Sequence, residues 1–110
     1  SNALESASGR SQMGGVRERQ YVPTLSLDTL LDSLPAPDFV KIDIEGAEYL
    51  ALLGAKHLIS EVRPKWYIEV GDDVSGQIFS IFRSSGYVAF GPDGELLTDS
   101  CTSNTLFIPN

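Results

Sequence analysis

The chain has 110 residues, 15 acidic against 8 basic side chains, a formal charge of −7 and 42% hydrophobic residues. Those numbers describe one small domain, because a chain of this size buries about two thirds of its unfolded surface and cannot build two cores. The acidic balance excludes the clustered Lys and Arg that phosphate binding requires, so nucleic acid and anionic membranes are not expected as partners, and no apolar run nears the roughly 20 residues of a membrane span.

Residues 1–20 carry a net +1, which leaves −8 on the rest. Ser1-Asn2-Ala3 reads as a purification-tag remnant, and the Ser, Gly and Arg that follow, without periodicity, predict a flexible linker to residue 20, with one domain over residues 21–110. Cys101 is the only cysteine. It excludes an internal disulfide and a cysteine metal cluster, and a reducing, cytoplasmic setting is expected.

Tyr21 to Ser26 is β-prone, with Pro23 favouring an edge or a strand start. Ser26 is placed to cap a helix from Leu27 to Leu34, whose leucines recur at helical spacing before Pro35 and Pro37 stop it. Phe39 to Glu45 is an apolar-rich strand ending in acids and Gly46. A helix is expected from Ala47 to Ile59 with a break at Gly54, then a strand from Lys65 to Val70. An amphipathic helix from Val74 to Ser85 ends at Gly86, a suitable C′ residue. Tyr87 to Phe90 is a strand, residues 91–94 a turn, Glu95 to Thr98 a brief strand, and Asn104 to Ile108 the last strand. The alternation predicts an α/β fold: an open sheet with parallel central strands, an antiparallel carboxyl-terminal pair and helices on its faces.

Strand alternation puts Val40, Ile42 and Ile44 on one face and Lys41, Asp43 and Glu45 on the other. Lys65, Tyr67 and Glu69 repeat the polar set. If the two strands are parallel neighbours, Asp43, Glu45 and Glu69 gather at their carboxyl ends, where open α/β sheets bind ligands. The competing reading is that Lys41 pairs with Glu69 or Asp43 and that Glu45 only begins a helix. His57 has no partner His or Cys at ligand spacing and reads as a surface residue. Trp66, Tyr67, Phe79 and Phe82 read as packing, and Cys101 as inert.

Thr24-Leu25-Ser26-Leu27-Asp28, Phe39-Val40-Lys41-Ile42-Asp43-Ile44-Glu45-Gly46-Ala47-Glu48, Leu53-Gly54-Ala55, Glu69, Gly86-Tyr87 and Asn104-Thr105-Leu106-Phe107-Ile108-Pro109 together resemble the FkbM family of S-adenosylmethionine-dependent methyltransferases. The likeness spans about residue 22 to residue 110. It implies a Rossmann-like methyltransferase sheet whose carboxyl-terminal strands lie in the order fourth, fifth, seventh, sixth, and O-methylation of a sugar or another small-molecule acceptor. Residues 21–26, 39–45 and 65–70 correspond to the family's third, fourth and fifth strands. The glycine-rich turn and the acid that hold the donor in such enzymes precede the matched part, and Gly14-Gly15 follows no predicted strand. The chain therefore resembles the carboxyl-terminal half alone, and by itself is expected to be inactive.

Carried over from the resemblance, Asp43 and Glu45 are the catalytic candidates, and Asp28, Asp43 and Gly46 the candidates for contact with S-adenosylmethionine. Asp28 is also placed to cap its short helix, and Gly46 also fits a plain strand-to-helix turn. No metal site is expected. The alternative reading is a non-catalytic α/β module that self-associates or docks on a partner. Loss of the neighbouring strands leaves residues 39–45 as an open edge, which either residues 21–26 relocate to cover or a second copy pairs with; the homodimer is favoured, because Pro23 weakens the relocated strand.

Overall fold

The computed structural model describes residues 25–110. The linker expected over residues 1–20 and the first four residues of the strand expected over Tyr21 to Ser26 lie outside them, and Leu25 and Ser26 belong to no strand. The elements are α1 (Leu27–Leu30), β1 (Phe39–Ile42), α2 (Glu48–Leu53), a π-helical turn (Leu58–Val62), β2 (Lys65–Glu69), a 3-10 turn (Asp72–Val74), α3 (Ser75–Ser84), β3 (Tyr87–Phe90), β4 (Leu96–Leu97) and β5 (Asn104–Pro109).

The five strands form one mixed α/β sheet in the order β1-β2-β5-β3-β4. β1 and β2 run parallel, with Phe39 opposite Lys65 and Ile42 opposite Ile68, while β5 is antiparallel to both β2 and β3. This is the order implied for the fourth, fifth, seventh and sixth strands of a partial Rossmann-like sheet, with β4 added at the far side. Among the described residues β1 has no partner on its outer side.

One face of the sheet carries the core. Trp66, Ile68, Ala89 and Phe107 from the strands meet Leu52, Leu58, Ile59, Ile78 and Phe82 from the helical layer. Phe82 is its hub. Its ring stacks on Phe107 at 4.0 Å and meets Trp66 and Tyr87 edge-on at 5.5 and 5.0 Å. Burying such rings against one another adds directional attraction to the area they remove from water. Tyr67, Val88, Phe90, Leu106 and Ile108 share the opposite face, half-buried and outside the core cluster. Trp66 is core as expected, whereas Tyr67 belongs to this second face.

Several elements are shorter than the sequence predicts, each for a local reason. α1 ends at Leu30 and continues as tight turns to Ser33, with Leu31, Asp32 and Ser33 each bonding the carbonyl three residues back. Only Leu27 and Leu31 reach the core while Leu30 and Leu34 stay exposed, and the residue before Pro35 is disfavoured in helical geometry. β1 stops at Ile42 rather than Glu45, since its one ladder ends there and Ile44 to Ala47 forms a hydrogen-bonded turn with Gly46 at φ +82°. The helix expected over Ala47–Ile59 does break at Gly54, but its second piece runs on to Val62 with a π-helical end closed by Arg63 N–H on Leu58 O at 2.7 Å. α3 ends at Ser84, with Gly86 at φ +80° in the C′ position, as predicted. Among the described residues no helix is long and apolar enough to cross a membrane.

Candidate functional site

The carboxyl ends of β1 and β2 differ in what happens next. β1 leaves the ladder after Ile42, whereas β2 stays paired with β5 through Glu69 and Asn104, and Val70 N–H still reaches Ser103 O at 2.7 Å. Asp43 follows one strand end and Glu69 closes the other. Both are exposed, and the two carboxyls lie within hydrogen-bonding reach of each other.

That contact pushes the Glu69 carboxyl above the ordinary glutamate range. The largest cause is its hydrogen bond to Asp43, followed by the Asp43 charge, burial, and the charges of Glu45 and Glu48. Every side chain that shifts Glu69 is acidic, so the competing expectation of a Lys41 partner is not what governs it. Two carboxyls at one place resist both being charged, which is the physical sense of that upward shift.

Asp43 and Glu45, the two expected catalytic residues, are thus brought together with Glu69. Gly46 stands beside them, and a Cβ built there would meet nothing within 4 Å. The turn is open to whatever approaches, and its positive φ is a conformation that side chains other than glycine's resist.

Asp28 has a different occupation. Its Oδ2 accepts from His57 N–H at 2.8 Å and its Oδ1 from Leu58 N–H at 2.9 Å, while its own N–H donates to Gly54 O at 2.9 Å. It therefore caps a helix, though not its own; α1 is capped by Ser26, whose Oγ accepts Thr29 N–H at 3.1 Å. Gly54 makes the approach possible, since a Cβ there would stand 2.9 Å from Ser26 Cβ. His57 is exposed and contributes only its backbone to this clamp.

Glu48 is the member that sequence reasoning missed. It opens α2, and its side chain is buried to 5% exposure. Its Oε2 lies 3.8 Å from the position a Cβ on Gly71 would take, with Asp73 Oδ1 at 3.0 Å from the same point. Among the described residues it forms no hydrogen bond. The signals in the sequence were its place three residues after Glu45 and in the string that resembles the FkbM family, but an acid in a first helical turn is ordinarily solvated. Among the described residues no set of three or more His, Cys, Asp or Glu is arranged to hold a metal ion.

A family model described as the methyltransferase FkbM domain matches residues 1–89 of the chain. No curated protein and no solved structure matches it.

Proposed function

This chain belongs to the methyltransferase FkbM domain family, and from that premise we propose that it is part of an S-adenosylmethionine-dependent O-methyltransferase acting on a sugar or another small hydroxyl compound. The observation that carries the reading is the Asp43–Glu69 contact at the carboxyl ends of two parallel strands, where sheets of this class bind ligands. S-adenosylmethionine, when bound, supplies an electrophilic methyl group. The residues here suit such a donor, because acidic side chains complement a cationic sulfonium and the open Gly46 turn admits a ligand against the backbone.

Transfer to oxygen requires a hydroxyl held in line and relieved of its proton. Asp43 accepts the hydrogen bond of that hydroxyl and takes the proton at a carboxylate oxygen. Glu45, two residues on in the same acidic group, orients the acceptor, and Glu69 stands beside Asp43. We assign Gly46 to the donor side. Asp28 acts there only through the clamp that fixes the helical layer.

The donor's glycine-rich cradle has no counterpart among residues 25–110, so the 110-residue chain alone is expected to show no micromolar binding of S-adenosylmethionine by calorimetry. The decisive assay is methyl transfer to a panel of sugars by a protein that contains this sequence. Asp43→Asn lowers turnover there by about a hundredfold or more, and His57→Ala leaves it near the parent value. Equal losses in both variants, or activity per folded molecule unchanged in Asp43→Asn, overturn the role of Asp43.

A second reading concerns the 110-residue chain by itself. Among the described residues the outer edge of β1 has no partner, beside the 52%-exposed Phe39, and self-pairing about a twofold axis satisfies its backbone groups. That dimer is a property of the edge and is independent of the chemistry in the cleft.

A further inference from the structure

We propose that Glu48 anchors a subsite for the ammonium group of an amine-bearing acceptor, such as an amino sugar, which the Asp43, Glu45 and Glu69 carboxyls complete. The inference rests on reading this cleft as the ligand site and names the class of acceptor.

Glu48 is a charged side chain with 5% exposure and no hydrogen-bond partner among the described residues. Burying a carboxylate is unfavourable unless a donor or a cation satisfies it. Its neighbours are acidic too: Asp43 and Glu45 with Glu69 at the two strand ends, and Asp73 at the Gly71 turn. Among the described residues no basic side chain takes part in the shift of Glu69. A missing cation is the simplest completion.

The nature of that cation follows from the chemistry of the acceptors. Among the described residues no trio of His, Cys, Asp or Glu is arranged for a metal ion. A sulfonium has no N–H to donate and leaves the lone pairs of Glu48 unsatisfied. The amino-acid end of the methyl donor has an ammonium, but it brings a carboxylate of its own into a cluster that already repels one. A primary ammonium on a neutral polyol has three N–H donors and no anionic companion. Held between Glu48 and Glu69, it would leave a neighbouring hydroxyl facing Asp43.

The test is a titration of the 110-residue chain followed by amide NMR at fixed ionic strength, with glucosamine, glucose and magnesium chloride as separate probes. Glucosamine at millimolar concentration is expected to shift the amides of residues 43–48 and 69–73, glucose and magnesium to leave them unmoved. Glu48→Gln weakens the response by about tenfold or more, the loss of one charge-assisted hydrogen bond. Glu69→Gln, on the surface and safe for folding, weakens it several-fold, and Glu61→Gln, an exposed acid on the π-helical turn, leaves it unchanged. No response to glucosamine, an equal response to glucose, a stronger response to magnesium, or an equal loss in Glu61→Gln overturns the proposal. Because the titration reads binding and not transfer, its failure leaves methylation of a neutral sugar intact.

Discussion

The indole N–H of Trp66 donates to the hydroxyl of Tyr87 at 3.3 Å, and that hydroxyl donates onward to Pro64 O at 2.8 Å. Both rings also touch Phe82, so a polar chain runs through the most apolar part of the molecule. Removing the hydroxyl in Tyr87→Phe leaves the Trp66 N–H and the Pro64 carbonyl without a partner. A loss of about 1–3 kcal/mol follows, readable as a lower urea midpoint with unchanged slope.

The same hydroxyl sets an alkaline limit. Burial is the first cause that pushes Tyr87 above its ordinary value of 10.0, with Trp66 and Arg63 pulling weakly the other way. The unfolded chain releases this proton first as pH rises, so the contribution is full below 10.0 and is lost from there up through the folded value. Melting temperatures measured across that window are expected to fall for the parent protein, and to fall less for Tyr87→Phe.

Glu69 has the opposite interest in acid. Its folded carboxyl takes a proton more readily than the unfolded one, so this stabilisation is complete below the ordinary 4.5 and disappears as pH rises through the raised value. At neutral pH the crowd around Asp43 is repulsive. Glu69→Gln, which keeps the shape and drops the charge, is expected to raise the melting temperature near neutrality, with the advantage shrinking in acid. A lower melting temperature at neutral pH would mean that the pair is held by attraction not described above.

What the amino-acid order made legible was mostly local. Alternation at Trp66 and Ile68 marked the buried side of β2, and Gly54 and Gly86 marked helix ends, because each signal depends on neighbours a few residues away. The gathering of Asp43, Glu45 and Glu69 followed once two strands were taken as parallel. What stayed hidden was set by distant partners. Nothing near Asp28 announces that its carboxylate will hold two amides about thirty residues away, and nothing near Glu48 announces its burial against the Gly71 turn. β1 was read too long because its end is decided by where β2 ceases to pair with it, a matter of register and not of propensity.

Asp28→Ala removes the acceptor of both His57 and Leu58 and separates α1 from the second helical piece. The expected cost is about 1–2 kcal/mol, in the range of a lost helix cap, with faster amide exchange at residues 57 and 58 as the specific sign. Unchanged exchange there would place the stabilising role of Asp28 elsewhere.

Arg63 sits at φ +58° while its guanidinium donates to Ile59 O, Ser85 O and Gly86 O at 3.3, 2.7 and 3.2 Å and lies 5.0 Å over the Tyr87 ring. Glycine at that position relieves about 1 kcal/mol of backbone cost but forfeits the side chain. Arg63→Gly is therefore expected to be destabilised by about 2 kcal/mol, and Arg63→Ala by about 1 kcal/mol more. Chemical denaturation of the pair separates backbone strain from side-chain bonding.

The open edge of β1 permits a register test. Two copies pairing antiparallel must keep like faces together, which allows Val40 opposite Val40 or Lys41 opposite Lys41, and the second sets two ammonium groups face to face. Val40→Cys in a Cys101→Ser background is expected to oxidise to a disulfide-linked dimer, since directly opposed residues lie about 4.5–5.5 Å apart, within disulfide reach. Lys41→Cys cross-linking more readily would select the other register, and neither cross-linking would exclude the edge dimer.

β5 lies between β2 and β3, although it is the last strand of the chain. During synthesis β2 and β3 must therefore wait, each with an empty side, until Asn104–Pro109 clears the ribosome. Trp66 gains its cross-strand neighbour Phe107 only at that moment. A stop codon shortly before Asn104 would not trim the sheet; it would leave two unconnected strand pairs, β1 with β2 and β3 with β4, and a product destined for proteolysis.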